Sequence, residues 1–228
     1  MNAQEQNFCV AGSVITSVPS DSTFARRMHA ASIANDWLYF KPLIFDVEST
    51  GLDISDEICE IAVVDAATLG TVWQSLIKPS IPMPANAFAI HGLSDTALQD
   101  APAFRQVQDY IEEMFKERVL LGYNVPFDLR LLVQSARIPP GRPFKLTGMA
   151  SRCVMQLYAY WWGEYDERRG QYRWEKLQNV CLRHGLQTDG EPHRALADAQ
   201  LTGKLLQFIA NYRPLPGEEC EHEGQRVW

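Results

Sequence analysis

Apolar positions in the first half of the chain fall in short runs that predict β-strands. LIFDVE (43–48) is a buried strand, and EICEIAVVDA (57–66) and TVWQSLIKP (71–79) follow it. The segment AATLG between the last two is short, so they should form an antiparallel hairpin. RVLLGYN (118–124) is a fourth predicted strand.

Elsewhere the apolar residues recur three or four positions apart, which is typical of helices. Phe24, Met28, Ala31 and Leu38 would share the buried face of a first helix, with Asp21 or Ser22 as N-cap. Strands that come first and then alternate with helices predict an α/β fold, a mixed sheet flanked by helices, but they do not fix the strand order. Further helices are predicted over 102–117, from 127 to 136, over 153–162, over 174–185 and over 193–212.

The composition adds to this prediction only by arguing against some classes of protein. The chain has 228 residues, 46% hydrophobic and 21% charged, which is enough for a packed domain rather than a disordered chain. Its formal net charge is −7, which argues against a nucleic-acid partner unless metal ions supply positive charge.

The five scattered cysteines form no CxxC pair, which favours a reducing compartment over a disulfide framework. No apolar run has the length of a membrane span, and the faintly signal-like segment 8–18 lacks preceding positive charge. We therefore expect a cytoplasmic protein with no membrane contact.

Two carboxylates end the most strand-like segment. Residues two apart in a strand point to the same face, so Asp46 and Glu48 project side by side. Two like charges there are unfavourable, and a divalent ion such as Mg²⁺, which prefers carboxylate oxygens, would relieve the repulsion. The alternative is a solvated strand end followed by a turn at Gly51.

Two later segments also place acidic residues at helix starts. In YNVPFD (123–128), Asp128 could simply cap a helix, because the macrodipole favours that position. In EPHRALADA (191–199), His193 opens the last predicted helix, and Asp198 lies among small residues where a charge needs a partner. Imidazole suits proton transfer near neutral pH, although an exposed histidine at a helix start is the plainer interpretation.

Taken together, FDVESTGLD (45–53), NVPFD (124–128) and HRALADA (193–199) resemble the three motifs of the DEDD-type 3′–5′ exonucleases, in the subgroup whose third motif contains histidine. Ser49 replaces the usual first threonine, a mild departure. FAIHGLSD (88–95) resembles a segment of the proofreading ε-type members. The resemblance spans about residues 40 to 210.

The resemblance implies an RNase H-like mixed sheet flanked by helices. It also implies that the four acidic residues hold two divalent metal ions, Mg²⁺ or Mn²⁺, with Asp46 bridging them and Asp128 acting through water. His193 would take the proton from the attacking water. The implied catalytic set is Asp46, Glu48, Asp128, His193 and Asp198.

The same resemblance suggests substrate contacts. Thr50, Gly51 and Leu52 match the segment that contacts the terminal nucleotide, with Leu52 as a wedge. His91 would lie near the sugar or base, or alternatively cap a helix. Phe127 would stack on a base, or alternatively belong to the core.

The implied activity is metal-dependent 3′–5′ hydrolysis of single-stranded DNA ends that releases nucleoside 5′-monophosphates, in proofreading or repair. RNase T-like trimming of RNA and a nucleic-acid-binding accessory module that has lost its activity are the alternatives. A polymerase or other replication or repair partner fits, and the oligomeric state stays open. We expect an extension with one helix over 1–39, the exonuclease domain over 40–212 and a tail over 213–228.

Two remaining segments keep two interpretations each. WWGEYDERRGQYRW (161–174) should be a loop whose aromatic side chains cover the core, or else a nucleic-acid or partner surface. EECEHE (218–223) should be a solvated acidic tail, or else a metal-binding one.

Overall fold

A computed structural model describes residues 22–214, within which the chain forms one five-stranded sheet, one short hairpin and eight helices. The strands are β1 (Leu43–Ser49), β2 (Ile58–Asp65), β3 (Thr71–Leu76), β4 (Val119–Gly122), β5 (Ala150–Cys153), β6 (Tyr165–Asp166) and β7 (Gln171–Tyr172). The helices are α1 (Thr23–Tyr39), α2 (Ala85–His91), α3 (Asp95–Leu98), α4 (Phe104–Phe115), α5 (Val125–Ala136), α6 (Val154–Trp162), α7 (Leu177–Arg183) and α8 (Ala195–Ala210).

The sheet has the order β3-β2-β1-β4-β5. β1 pairs antiparallel with β2, and β2 pairs antiparallel with β3, which confirms the predicted hairpin. β1 pairs parallel with β4, and β4 pairs parallel with β5. The predicted mixed sheet is therefore confirmed, and β1 lies at its centre.

Alternation along β1 assigns its side chains to two cores. Phe45 and Val47 pack with α4 and α5 on one face of the sheet. Ile44 packs with α1, α6 and α8 on the other. Because the period of a strand is two, Asp46 and Glu48 lie on the α8 side, beyond Ile44.

The first helix has its predicted N-cap, because the Ser22 hydroxyl accepts the N–H of the third helical residue at 3.1 Å. Asp21 lies outside the described residues. The predicted buried face is wrong at Met28, which is 40% exposed, whereas Ala30 and Ala34 are fully buried. Small residues let α1 approach α6 and α8 closely, so the contact stripe follows the alanines rather than the largest side chains.

Several elements were not predicted. β5 is only four residues, ASRC, and carries no apolar run, so Cys153 ends a strand instead of opening the predicted helix. No helix was predicted in the proline-rich segment after β3. Pro84 instead precedes α2 as its N-cap, a position where the missing N–H of proline does no harm.

In the aromatic segment 161–174, Trp161 and Trp162 end α6, and β6 and β7 form a short hairpin instead of the predicted loop. Trp161 is buried, and the rings of Tyr160 and Tyr172 meet edge to face with centroids 5.4 Å apart. The prediction that the aromatic side chains of this segment cover the core is confirmed for Trp161 and Tyr172. Trp174 is 53% exposed, and a nucleic-acid or partner surface there stays a prediction.

None of the described helices combines the length and hydropathy that crossing a membrane requires. Cys59, Cys153 and Cys181 are free and buried. The predictions for segments 8–18 and 218–223 lie outside the described residues. The domain boundaries at residues 39 and 212 stay predictions, although Ala30 and Ala34 of α1 belong to the same core as α8.

Candidate active site

The predicted acidic residues converge where β1 and β4 end. Parallel strands have their carboxyl ends at one edge of a sheet, so the turn after β1 and the start of α5 meet there. Asp46 and Glu48 approach this edge along β1, and both are half-buried. α8 begins at the same edge, and it packs against β1 and β2.

Three carboxylates form one cluster. Asp46, Glu48 and Asp198 each offer an oxygen, and these oxygens all lie within 4.8 Å of one another. Asp198 is buried and is the fourth residue of α8, so the helix holds it in place. The sequence-based prediction that these side chains meet is supported by this geometry.

Asp128 lies beside this cluster rather than in it. It is the fourth residue of α5, it is only 3% exposed, and it is the neighbouring charge that raises the pKa of Asp46 most. Asn124 is the N-cap of this helix, and its φ is 67°. Asparagine adopts this left-handed conformation at low cost, which lets α5 turn back directly after β4.

Burial and mutual repulsion shift the titration of the whole group. Burial and then the charge of Asp128 raise the pKa of Asp46 well above its ordinary value. Burial, followed by Asp198, raises the pKa of Glu48 to about 8. Burial also raises the pKa of Asp128, against backbone N–H groups that lower it, and the pKa of Asp198, which the nearby charge of His193 lowers in part.

These residues fit divalent cations. The Oδ2 atom of Asp128 and the Oδ1 atom of Asp198 are buried and have no hydrogen-bond partner among the described residues. Clustered carboxylates that repel one another and keep free oxygens are the donor set that Mg²⁺ and Mn²⁺ prefer. The other Asp198 oxygen, Oδ2, accepts a 3.0 Å hydrogen bond from Gln178 of α7, which orients it.

His193 was predicted to open the last helix. The structure differs, because α8 begins only at Ala195. His193 lies two residues earlier, half-buried, with a φ of 58°. This left-handed backbone ends the preceding loop and starts the helix in a new direction. His193 is near enough to Asp198 to lower its pKa, so the structure brings the imidazole to the cluster.

The loop after β1 is tightly held. Thr50 is 1% exposed, and its hydroxyl donates to Asp56 at 2.7 Å while accepting the Glu57 N–H at 3.0 Å. A Cβ on Gly51 would lie 2.5 Å from an oxygen of Asp56, so glycine here makes room for a carboxylate of the loop itself. Leu52 is 77% exposed beside these fixed residues.

The last two predicted substrate contacts, His91 and Phe127, are less exposed to solvent than Leu52. His91 is 5% exposed, and its Nδ1 atom accepts the Leu93 N–H at 3.1 Å, which favours the alternative of a capping role after α2. Phe127 is half-buried against the core, and the guanidinium of Arg130 lies 5.0 Å from its ring centroid. Substrate contact by either residue stays a prediction.

Sequence reasoning missed three residues that support the site: Glu60, Arg194 and Gln178. Glu60 faces Glu48 across the β1–β2 ladder and receives a bidentate ion pair from Arg194. The signal for Glu60 was present, since it is a charge within the apolar run of β2. Gln178 had no signal, because its role depends on where α7 packs.

Comparison with known proteins adds a family to this geometry. The Exonuclease family model (RNase_T) matches residues 43–206. The uncharacterized exonuclease CP81 of Escherichia phage 186 is 34% identical over 181 residues, 78% of this chain and 92% of that protein. The DNA polymerase III subunit epsilon of Rickettsia conorii is 28% identical over 174 residues, 72% of this chain and 71% of that protein.

Solved structures agree with the fold. Exonuclease X in complex with 5′ overhanging duplex DNA has a TM-score of 0.55 and 26% identity, and the match covers 74% of this chain and 90% of that one. The nuclease domain of 3′hExo, a DEDDh family member bound to rAMP, shares the fold with a TM-score of 0.55 at 19% identity, over 77% and 96% of the two chains. The chain therefore belongs to the RNase_T exonuclease family, and it is a divalent-metal-dependent 3′–5′ exonuclease with an RNase H-like fold.

Proposed function

We propose that this exonuclease removes nucleotides from single-stranded 3′ ends of DNA, in proofreading or repair, through the cluster at the end of β1. The observation that carries the proposal is the meeting of the Asp46, Glu48 and Asp198 oxygens within 4.8 Å, with His193 beside them. Scattered surface carboxylates would not need this burial or this convergence.

In this proposal Asp46, Glu48, Asp128 and Asp198 would hold two divalent ions, Mg²⁺ or Mn²⁺, with Asp128 acting through water. Bound ions would supply the Lewis acidity that activates water and stabilises the leaving 3′-oxygen. The carboxylates keep the ions at the sheet edge, and without that positive charge the cluster would repel a phosphodiester. This accounts for an exonuclease with a net charge of −7.

His193 acts as the proton acceptor. Its imidazole takes the proton from the water that attacks the terminal phosphodiester. The bond from phosphorus to the 3′-oxygen of the preceding nucleotide breaks, so a nucleoside 5′-monophosphate leaves and a new 3′-hydroxyl remains. Leu52, exposed next to a loop that Thr50 and Gly51 hold rigid, separates the last bases so that the terminal phosphate reaches the cluster.

Names of relatives support DNA as the substrate. Similar proteins are described as subunits of DNA polymerase III, and a structural neighbour at 26% identity is a complex with DNA. The epsilon relatives also support a polymerase as partner. Gel filtration of the protein with a replicative polymerase subunit would test that association, and separate elution would contradict it.

The decisive test of activity uses 5′-labelled single-stranded DNA and RNA of the same sequence. Each is incubated with Mg²⁺, with Mn²⁺ or with EDTA, and with Asp46→Asn or His193→Ala in place of the wild type. Asp36→Asn is the matched control, because Asp36 is exposed on α1. We expect a metal-dependent ladder that shortens from the 3′ end of DNA and is lost in the two site variants only.

The other outcomes separate the alternatives. Faster cleavage of RNA would replace DNA with RNA as the substrate. Tight binding of 3′ ends by a wild type that cuts neither polymer with either metal would favour the accessory module that has lost its activity.

A further inference from the structure

A fifth buried acidic residue lies against the cluster without belonging to it. Glu60 of β2 is directly opposite Glu48 in the antiparallel ladder, and its side chain is only 10% exposed. Like charges directly opposite in a ladder are destabilising, so Glu60 needs a partner. Arg194 provides it, with Nη2 to Oε1 at 2.6 Å and Nε to Oε2 at 3.0 Å.

Glu60 also caps α8 from another element. The Ala195 N–H, at the first position of the helix, donates to Glu60 Oε2 at 3.0 Å. Arg194 occupies the N-cap position, and its side chain makes no capping hydrogen bond. Free N–H groups and the helix dipole favour a carboxylate at this end, and β2 delivers one.

These bonds lie immediately after His193. Left-handed backbone is unfavourable for a residue other than glycine, so the surrounding structure must hold His193 in it. The chain before His193 offers little support, because residues 189–192 are all exposed. The residues that follow His193 hold its backbone in place, because Arg194 and Ala195 both donate hydrogen bonds to Glu60.

We propose that Glu60 is a positioning residue that fixes the imidazole of His193 at the cluster through Arg194 and Ala195. Both oxygens of Glu60 are engaged by these two residues, so Glu60 stays outside the metal-binding set. The inference rests on the proposed role of His193 as proton acceptor. It adds a residue that touches neither metal nor substrate.

The kinetic test compares Glu60→Gln in two backgrounds. In the otherwise wild-type enzyme we expect kcat to fall about 10- to 100-fold, as for outer residues that orient a catalytic group, with KM nearly unchanged. In a His193→Ala background the same substitution should have almost no further effect, because the residue that it positions is gone. A full, additive loss in that background would overturn the proposal.

Two further comparisons separate positioning from general stability. Arg194→Lys should retain more activity than Arg194→Gln, since lysine keeps the charge but not the fork. Glu175→Gln is the matched control, because Glu175 forms an equally bidentate pair with Arg183 at 2.7 and 2.8 Å elsewhere on the surface. It should lower kcat by less than twofold, and an equal loss in the control would contradict a specific role.

Structure and metal binding give readouts besides activity. Crystal structures of metal-free wild type and Glu60→Gln should differ at His193, whose backbone leaves the left-handed region in the variant, while Mn²⁺ affinity by calorimetry stays within about threefold. An unmoved His193, or a large loss of Mn²⁺ affinity, would overturn the proposal. If removal of one charge unfolds the protein, Glu60→Gln with Arg194→Gln removes both charges and serves instead.

These readouts also separate this inference from the proposed function. A wild type that cleaves neither polymer would refute the function. The two crystal structures would still decide whether Glu60 positions His193.

Discussion

The N-termini of α5 and α8 each position an aspartate at the site, but they do so in different ways. Each helix carries an aspartate at its fourth position, Asp128 or Asp198, and each begins after a residue with left-handed backbone. α5 starts three residues after β4 ends, so Tyr123 and Asn124 connect the sheet to the helix tightly. α8 follows an exposed loop, and Glu60 of a distant strand holds its first turn.

The comparison teaches that one carboxylate is held by backbone groups and the other by a side chain as well. Asp128 follows the turn from β4 and accepts backbone N–H groups, including that of Val47 on β1, while no side chain of the described residues bonds its free oxygen. The Asp198 carboxylate is oriented by the side chain of Gln178 on α7. Four tests separate these two arrangements.

The largest effects should come from neutralising the two aspartates. Asp128→Asn and Asp198→Asn should each lower kcat/KM about a thousandfold, roughly 4 kcal/mol of transition-state stabilisation. Only Asp198 shares the 4.8 Å cluster, so Asp198→Asn should raise the half-saturating Mn²⁺ concentration much more. Rates measured across a Mn²⁺ titration check this, and equal shifts in the two variants would contradict it.

A reciprocal exchange tests the two left-handed residues. His193→Asn keeps a residue that tolerates this conformation, so stability should hold while kcat falls about a hundredfold or more. Asn124→His should change kcat by less than about threefold, because Asn124 is exposed and histidine is also found in left-handed backbone. Thermal melts and single-turnover rates measure both, and a large loss in Asn124→His would give Asn124 a chemical role.

The next effect concerns pH. In the metal-free protein the pKa of Glu48 is raised to about 8 by burial, Asp198 and Glu60. The folded state therefore binds more protons than the unfolded state from pH 4.5, the ordinary glutamate pKa, up to pH 8, so the free energy of unfolding falls as pH rises through that range.

The slope of that decline can reach about 1.4 kcal/mol per pH unit for one such group. Denaturant titrations at several pH values measure it. Asp198→Asn and saturating Mn²⁺ should each flatten the slope. A metal-free protein whose stability rises from pH 5 to pH 8 would refute the prediction.

The smallest effect should come from loss of the side-chain hydrogen bond that Gln178 donates to Asp198. Gln178→Leu removes the donor to Asp198 Oδ2 and should lower kcat/KM about tenfold. Gln207→Leu is the control, since Gln207 lies on α8 and donates a 2.8 Å hydrogen bond to the backbone carbonyl of Ala66, outside the cluster. An equal loss of activity in both would show that α8 is merely loosened.

The same difference explains what the sequence could predict. Strand periodicity places Asp46 and Glu48 on one face, and the helix after YNVPFD places Asp128, because these relations are local. The resemblance of three short motifs adds Asp198 and His193. β1 at the centre, β5 and α2 could not be predicted, because pairing order and four-residue strands depend on which surfaces remain to be covered.

Support of the site was harder to predict than the site itself. Glu60 is a charge in an apolar strand, a visible anomaly, but its partner Arg194 lies 134 residues further along the chain. His91 is predicted either near the sugar or base or in a helix cap, and its burial and the hydrogen bond that it accepts from the Leu93 N–H favour the cap. Such contacts depend on packing distances that a single sequence does not contain.

Placing β1 at the centre of the sheet also has a consequence for synthesis on the ribosome. Asp46 and Glu48 emerge early, whereas Asp198 and the first turn of α8 emerge only after β5, α6 and α7. The cluster of three carboxylates is therefore incomplete in every shorter nascent chain, and its oxygens cannot converge until α8 docks on β1. Activity that depends on this cluster would therefore begin only when the last helix has folded onto the sheet.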